Sequence, residues 1–146
     1  KEINMNADIE KTGTHTGGCL CGAVRYEMND DLRGIVNCHC SKCRKFHGHY
    51  GAYTSIRFRS LILLKQRSLK WYKSITDETP DVYRGFCKEC GSSLFWHPRD
   101  QDRVAVAVGS LDDPSNLQTI GHIWVSQIAE YYQIKDGLPQ YEERWE

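Results

Sequence analysis

Short runs in which apolar and polar residues alternate recur along the chain, and this pattern predicts a domain built mainly from β-strands. The clearest run is residues 103–108, where Val104, Val106 and Val108 fall on one side of an extended chain. Similar runs predict strands over residues 23–28, 32–37, 51–58, 69–72, 82–86 and 92–96, and a last pair over residues 122–125 and 128–134. Many short strands separated by frequent turn residues are typical of mainly β domains.

The remaining segments predict one helix and one loop. Residues 41–47 are expected to form a short helix with Ser41 as its N-cap, and Gly48 is expected to end it. The apolar run at residues 61–64 predicts a buried segment, but periodicity does not decide between strand and helix. Residues 76–81 are polar and predict a loop.

Composition and charge narrow the function classes. A chain of 146 residues is long enough to bury one core, and residues 1–16 lack periodicity. We therefore expect a flexible N-terminal tail over residues 1–16 and a single domain over residues 17–146. The 19 basic and 19 acidic residues balance, which argues against nucleic-acid or membrane-surface partners. There is no apolar run of membrane-spanning length and no signal-peptide pattern, so we expect a cytoplasmic protein.

Seven cysteines carry the candidate chemistry, and their odd number cannot be fully paired as disulfides within one chain. They form a C-x-C pair, a C-x-C-x2-C triplet and a C-x2-C-G knuckle: Cys19 and Cys21; Cys38, Cys40 and Cys43; Cys87 and Cys90. Thiols this close in sequence can converge on one metal ion at little entropic cost. Thiolate is a preferred ligand of zinc, so the grouping predicts two Zn²⁺ ions per chain, and the alternatives are disulfides, an iron–sulfur cluster or free thiols.

The simplest partition joins the two pairs into one four-thiolate structural zinc site, formed by Cys19, Cys21, Cys87 and Cys90. The triplet Cys38, Cys40 and Cys43 is then one ligand short of a tetrahedral site. His47 could complete it, because C-x2-C-x3-H is an acceptable zinc spacing. Alternatively the position stays open to water or a substrate thiolate, as in catalytic zinc sites. Spacing alone leaves both possibilities open.

Several segments occur in the order found in one known family: residues 18–22, 38–44, 86–92, 109–114, 122–124 and 136–139. On these motifs the chain resembles the glutathione-dependent formaldehyde-activating enzyme family, which includes centromere-protein-V-like domains. The resemblance implies an Mss4-like, zinc-stabilised fold of coiled antiparallel sheets with short helical turns. It also implies a structural zinc on the four paired cysteines and an open, catalytic zinc on Cys38, Cys40 and Cys43.

The resemblance further implies a zinc-dependent carbon–sulfur lyase. Such an enzyme adds a glutathione-like thiol to formaldehyde or a small aldehyde, as S-(hydroxymethyl)glutathione synthase does, and catalyses the reverse. One departure is residues 126–131, Ser-Gln-Ile-Ala-Glu-Tyr, where relatives commonly carry a basic residue and a Pro-Trp pair. The alternative is a non-catalytic, zinc-stabilised binding module on the same fold.

Residues near the cysteines allow two interpretations each. His122 and Trp124 either border the catalytic zinc or simply pack on a sheet. The basic residues Lys42, Arg44 and Lys45 either attract the carboxylates of glutathione or form a solvated helix face. The sequence does not predict the oligomeric state.

Overall fold

The computed structural model describes residues 9–75 and 81–145, and within them strands predominate. These described residues contain one α-helix, α1 (Ser41–His47), and three 3₁₀ turns (Phe58–Ser60, Val108–Ser110 and Val125–Gln127). The twelve described strands are β1 (Ile9–Lys11), β2 (His15–Gly18), β3 (Arg25–Met28), β4 (Leu32–Arg33), β5 (Ile35–Cys38), β6 (Gly51–Ile56), β7 (Leu61–Lys65), β8 (Leu69–Lys73), β9 (Val82–Cys87), β10 (Ser93–Pro98), β11 (Val104–Ala107) and β12 (Thr119–Ile123).

Three sheets form from these strands. The largest has seven strands in the order β12-β5-β6-β11-β10-β9-β8, the second is β2-β3-β7, and the third pairs β1 with β4. Among the described strands, every pair is antiparallel except β12 with β5, which is parallel. Parallel strands need a long connection, and here most of the chain lies between them. The predicted mainly β, antiparallel fold is confirmed.

The two faces of β11 explain how the core and the site are separated. Val104 and Val106 are fully buried in the main hydrophobic core beside Phe95. Ala105 and Ala107 point the other way and pack in a second cluster around the cysteine triplet. Because side chains alternate along a strand, one segment can close the core on one face and support the site on the other.

The apolar run at residues 61–64, which periodicity did not assign to a strand or a helix, forms part of strand β7. It pairs antiparallel with β3, and Leu61 and Leu63 pack against the core. Ile62 and Leu64 face the opposite side and are exposed. The run is therefore a half-buried strand, although both of its faces are apolar.

The C-terminal part differs from the predicted last strand pair. A strand forms at Thr119–Ile123, but residues 128–134 contain none. Instead, residues 139–143 return alongside residues 122–126 through backbone hydrogen bonds, for example from the N–H of Trp124 to the carbonyl of Glu143 at 2.9 Å. This returning segment forms the backbone hydrogen bonds with residues 122–126 that the predicted last strand would have formed.

The predicted tail boundary also changes. Strand β1 pairs with β4, and β2 begins at His15, with Thr16 paired to Glu27. Residues 9–11 and 15–16, which fall within the predicted tail, therefore belong to sheets. Residues 1–8, and residues 76–80 of the predicted loop, lie outside the described residues. Within the described part of the chain, no helix has the length and apolar composition needed to cross a membrane.

Candidate metal centres and the adjoining cavity

The first cysteine group joins two turns that are far apart in sequence. Cys19 and Cys21 lie on the turn after β2, Cys87 ends β9, and Cys90 lies in the hairpin before β10. Their four Sγ atoms lie within 4.8 Å of one another, with Cys19 to Cys21 at 3.6 Å and Cys21 to Cys87 at 3.8 Å. Zinc–sulfur bonds of about 2.3 Å in a tetrahedron place sulfurs about 3.8 Å apart, so the spacing fits a zinc ion.

The backbone around this group donates to its sulfurs. The N–H of Val24 lies 3.2 Å from the Sγ of Cys19, and Gly22 and Gly91 have φ values of 80° and 79°. Left-handed φ values favour glycine, and they let each turn fold tightly beside its thiols. A hydrogen bond from the Ser92 hydroxyl lowers the pKa of Cys90 to about 5, which favours the thiolate that a metal requires.

The second group is the triplet Cys38, Cys40 and Cys43. Strand β5 ends at Cys38, and α1 begins directly after Cys40, which places Cys43 in its first turn. The three Sγ atoms lie within 4.8 Å of one another and all three residues are buried. An all-thiol donor set at this spacing is again compatible with zinc.

The helix that carries Cys43 has the predicted bounds but a different cap. The N-cap is Cys40 rather than Ser41, because the Sγ of Cys40 accepts the N–H of Cys43 at 3.3 Å. Gly48 ends the helix with φ of 84°, as predicted, and its N–H donates to the carbonyl of Arg44. One cysteine therefore both starts the helix and faces the other two thiols.

The electrostatics of the triplet favour a bound cation. Hydrogen bonds from the thiols of Cys38 and Cys43 lower the pKa of Cys40, while the proximity of Cys40 raises the pKa of Cys38 strongly. The first negative charge therefore resides on Cys40, and further ionisation is opposed unless a cation enters. The guanidinium of Arg84 supplies part of that charge, with Nη1 at 4.0 Å from the Sγ of Cys43.

His47 does not join the triplet. Within residues 9–75 and 81–145, no fourth His, Cys, Asp or Glu lies close enough to complete the group. The Nε2 of His47 instead forms a short hydrogen bond with the hydroxyl of Tyr53 on β6. Its position in the last turn of α1 directs the ring toward that strand. His47 therefore does not serve as the fourth ligand of the triplet that the C-x2-C-x3-H spacing allowed.

A cavity of about 510 Å³ opens onto the triplet, a volume within the range of small-molecule sites. Cys38, Cys40 and Cys43 form part of its lining. Its other walls come from strands of the large sheet and from the returning C-terminal segment, with aromatic rings contributed by Tyr53, Trp96, Trp124 and Trp145. The triplet is therefore buried beneath a space that a small molecule can enter.

A sequence model of the family described as glutathione-dependent formaldehyde-activating enzyme matches residues 14–127, which include all seven cysteines. The chain belongs to this family. A crystal structure of a protein from Rhodobacter sphaeroides is 24% identical, with a TM-score of 0.52, and the match covers 86% of this chain and 98% of that one. This likeness supports the fold alone. The resemblance inferred from the cysteine motifs is confirmed.

The cavity of this formaldehyde-activating family member is strongly basic. Among the described residues that line it, five side chains are basic and one, Glu143, is acidic. The basic side chains are those of Arg33, Lys42, Arg84, Arg103 and Arg144. Burial, with a smaller effect of Arg103, lowers the pKa of Arg33 to about 9, so Arg33 remains charged at pH 7. The balanced net charge of the chain thus conceals a local positive field that suits an anionic ligand.

Only part of this basic lining was anticipated. Lys42 lines the cavity as one interpretation held, whereas Arg44 and Lys45 do not. Arg33 and Arg84 were missed because each lies within an otherwise apolar strand pattern, and both are buried. An arginine at an inward strand position was the signal that could have identified them, because a buried charge needs a specific role or partner.

His122 and Trp124 have separate environments in this family member. Trp124 lines the cavity and adopts a left-handed backbone with φ of 55°. His122 is buried on the other side of β12, where its ring bonds to His39 and Asp136 rather than facing the cavity. The segment that departs from the family pattern contributes Gln127, whose side-chain oxygen accepts the N–H of Ser41 at 3.0 Å.

Proposed function

We propose that the protein is a zinc-dependent carbon–sulfur lyase that adds a glutathione-like thiol to formaldehyde or a small aldehyde, and that catalyses the reverse reaction. The observation that carries the proposal is the three-cysteine group, which lacks a fourth described side-chain ligand and opens onto a basic cavity. In this proposal Cys38, Cys40 and Cys43 hold a catalytic zinc. The four paired cysteines hold a structural zinc, which gives two Zn²⁺ ions per chain.

Zinc held by three thiolates would supply Lewis acidity that lowers the pKa of a substrate thiol below its free value of about 8.5. The cationic lining would attract the carboxylates of a glutathione-like molecule. Within this lining, Nη1 of Arg84 lies 4.0 Å from the Sγ of Cys43. The rings of Tyr53, Trp96 and Trp124 would exclude water from the reacting groups. These residues orient the thiol sulfur toward the carbonyl carbon of the aldehyde.

The reaction balances without an oxidant or reductant. A carbon–sulfur bond forms, the carbonyl π electrons move to oxygen, and the proton of the thiol finishes on the new hydroxyl group. In reverse, the hydroxyl loses its proton, the carbon–sulfur bond breaks and the aldehyde leaves. Seven free thiols fit a reducing compartment, so we propose the cytoplasm as the site of action.

Metal counting combined with glutathione titration tests the proposal. Cobalt-substituted protein should hold two ions per chain, and glutathione should change the sulfur-to-cobalt absorption of one of them. S-methylglutathione keeps the carboxylates but lacks the free thiol, and it should leave that absorption unchanged. Because the uncatalysed addition is fast, catalysis should be followed by NMR exchange between formaldehyde and its glutathione adduct at equilibrium. Two bound ions with no response to glutathione would favour the non-catalytic binding module instead.

A further inference from the structure

Four side chains behind the triplet form a continuous chain of hydrogen bonds, which we term the histidine chain: Tyr132, His39, His122 and Asp136. The hydroxyl of Tyr132 lies 2.6 Å from Nδ1 of His39, and Nε2 of His39 lies 2.9 Å from Nδ1 of His122. Nε2 of His122 then lies 2.8 Å from a carboxylate oxygen of Asp136. Both histidines are almost fully buried. Each of their four ring nitrogens thus has a hydrogen-bond partner.

The carboxylate of Asp136 sets the direction of the histidine chain. An ionised carboxylate can only accept, so Nε2 of His122 carries a hydrogen. If both rings are neutral, Nδ1 of His122 accepts from Nε2 of His39, and Nδ1 of His39 accepts from the Tyr132 hydroxyl. All three hydrogen bonds then point toward Asp136.

The position of His39 connects the histidine chain to the triplet. His39 lies between Cys38 and Cys40 in the sequence, and its backbone N–H donates to the carbonyl of Ile123 at 3.0 Å. The preceding residue, Cys38, is the last residue of β5 and pairs with Ile123 in the parallel register. The backbone and the side chain of His39 are therefore both fixed to the β12 region, and this leaves the two flanking thiols little freedom.

We propose that His122 and Asp136 are positioning residues that hold His39, and through it the Cys38–Cys40 segment, in the geometry required to retain the triplet metal. The proposal rests on the proposed function, since it assumes that the triplet binds zinc. It adds a role for two residues outside the cysteine groups. His122 acts directly on the His39 ring, and Asp136 acts through His122.

The substitution Asp136→Asn tests the direction of the histidine chain. One oxygen of Asp136 accepts the N–H of Leu138 at 3.0 Å, while the other faces His122. In asparagine one of these atoms becomes an NH₂ group. If the oxygen stays with Leu138, His122 must move its hydrogen to Nδ1, and His39 must then donate from Nδ1 to Tyr132. The variant should therefore reverse the ring tautomers, which ¹⁵N–¹H NMR of the histidines measures directly. Unchanged tautomers in both rings would overturn the role assigned to Asp136 in setting the direction of the histidine chain.

The substitution His122→Phe tests the positioning role itself, because phenylalanine keeps a ring but makes neither hydrogen bond. Zinc-loaded protein is mixed with a chromophoric chelator, and release from the triplet is compared with release from the four-cysteine group of the same chain. Loss of an outer partner of a metal site commonly costs about 10–100-fold in affinity, so release from the triplet should accelerate about 10-fold or more. The four-cysteine phase should not change.

A matched control is His97→Phe, because His97 is also a buried strand histidine with a hydrogen bond to a backbone carbonyl, that of Arg103 at 2.8 Å. This variant should leave the ratio of the two release phases unchanged. If His122→Phe does not fold, Asp136→Asn is measured instead, since the Asp136 side chain is 42% exposed and its loss is tolerable. Asp136→Asn should also accelerate triplet release, by a smaller factor.

The outcomes separate the two proposals. A wild-type chain that binds two ions but shows no glutathione response refutes the proposed function, while faster triplet release in the variants still supports the positioning role. A wild-type chain that responds to glutathione, together with variants whose triplet release is unchanged, refutes the positioning role alone.

Discussion

The two cysteine groups differ in how much of the chain they tie together, and this difference predicts how each contributes to stability. The four-cysteine group joins Cys21 to Cys87 across 66 residues, whereas Cys38 and Cys43 of the triplet are five residues apart. Replacing Cys87 by serine removes a ligand from the long connection. Replacing Cys40 by serine removes a ligand from the short one.

The chain-entropy estimate for a cross-link gives the magnitude. Closing a loop of 66 residues restricts the unfolded chain by about 4 kcal/mol, while a loop of five residues contributes only about 2 kcal/mol. Whole domains are stable by about 5–15 kcal/mol. Cys87→Ser should therefore remove much of the stability, whereas Cys40→Ser should leave a cooperative fold. Serine at position 40 can also replace the thiol as N-cap of α1.

The assay is urea denaturation of the zinc-loaded variants, with zinc content measured on the same samples. In Cys87→Ser the free energy of unfolding should fall by about 4 kcal/mol or more, so this variant should unfold at a much lower urea concentration. It should also lose the zinc of the four-cysteine group. Cys40→Ser should lose one zinc ion and the formaldehyde–glutathione exchange activity, but should keep most of its stability. Equal losses of stability in both variants would refute the reasoning, because both groups would then be structural.

Three further predictions concern single sites. Gly17→Ala would place a Cβ atom 2.5 Å from the carbonyl oxygen of Ser110, so urea denaturation should show a loss of about 1–3 kcal/mol in stability. As a control, the Cβ atom of Gly109→Ala would meet nothing within 4 Å, and this variant should be as stable as the wild type. Arg84→Met removes the guanidinium that lies 4.0 Å from the Sγ of Cys43, so cobalt binding at the triplet should weaken by about 10–100-fold at pH 7 with the four-cysteine group unaffected. Unchanged cobalt affinity at the triplet would contradict this. Burial lowers the pKa of His47 from 6.5 to about 4, so the folded state disfavours its protonation and stability is lost as pH falls from 6.5 to about 4. This loss of stability should be about 3 kcal/mol and should be absent in His47→Gln. An NMR titration that gives His47 a pKa near 6.5 would refute this prediction.

Local patterns in the sequence anticipated the elements that depend on local interactions. The hairpin of β9 and β10 around Cys87 and Cys90 formed where the two apolar runs and the knuckle between them predicted it. Helix α1 ended at Gly48 because a left-handed residue was required there. The grouping of thiols by spacing also matches the two clusters in space.

Features that depend on long-range pairing were not predictable in this way. Nothing local to residues 119–123 signals that this strand pairs in parallel with β5, or that residues 139–143 return beside it. The same holds for the cavity, because Arg33 on β4, Arg84 on β9 and Arg103, which directly precedes β11, are far apart in sequence and meet only in the folded chain. The cap of α1 was misassigned because serine is the commoner N-cap, whereas the thiol of Cys40 lay one residue earlier.

The returning C-terminal segment separates two tasks within the chain. The family match ends at residue 127, yet Glu143, Arg144 and Trp145 border the cavity above the triplet. If the proposed function holds, reaction chemistry and choice of reactant would be encoded in different stretches of sequence. Changes in residues 127–146 would then alter which thiol is admitted while every cysteine is kept, so relatives with identical cysteine motifs need not share a substrate.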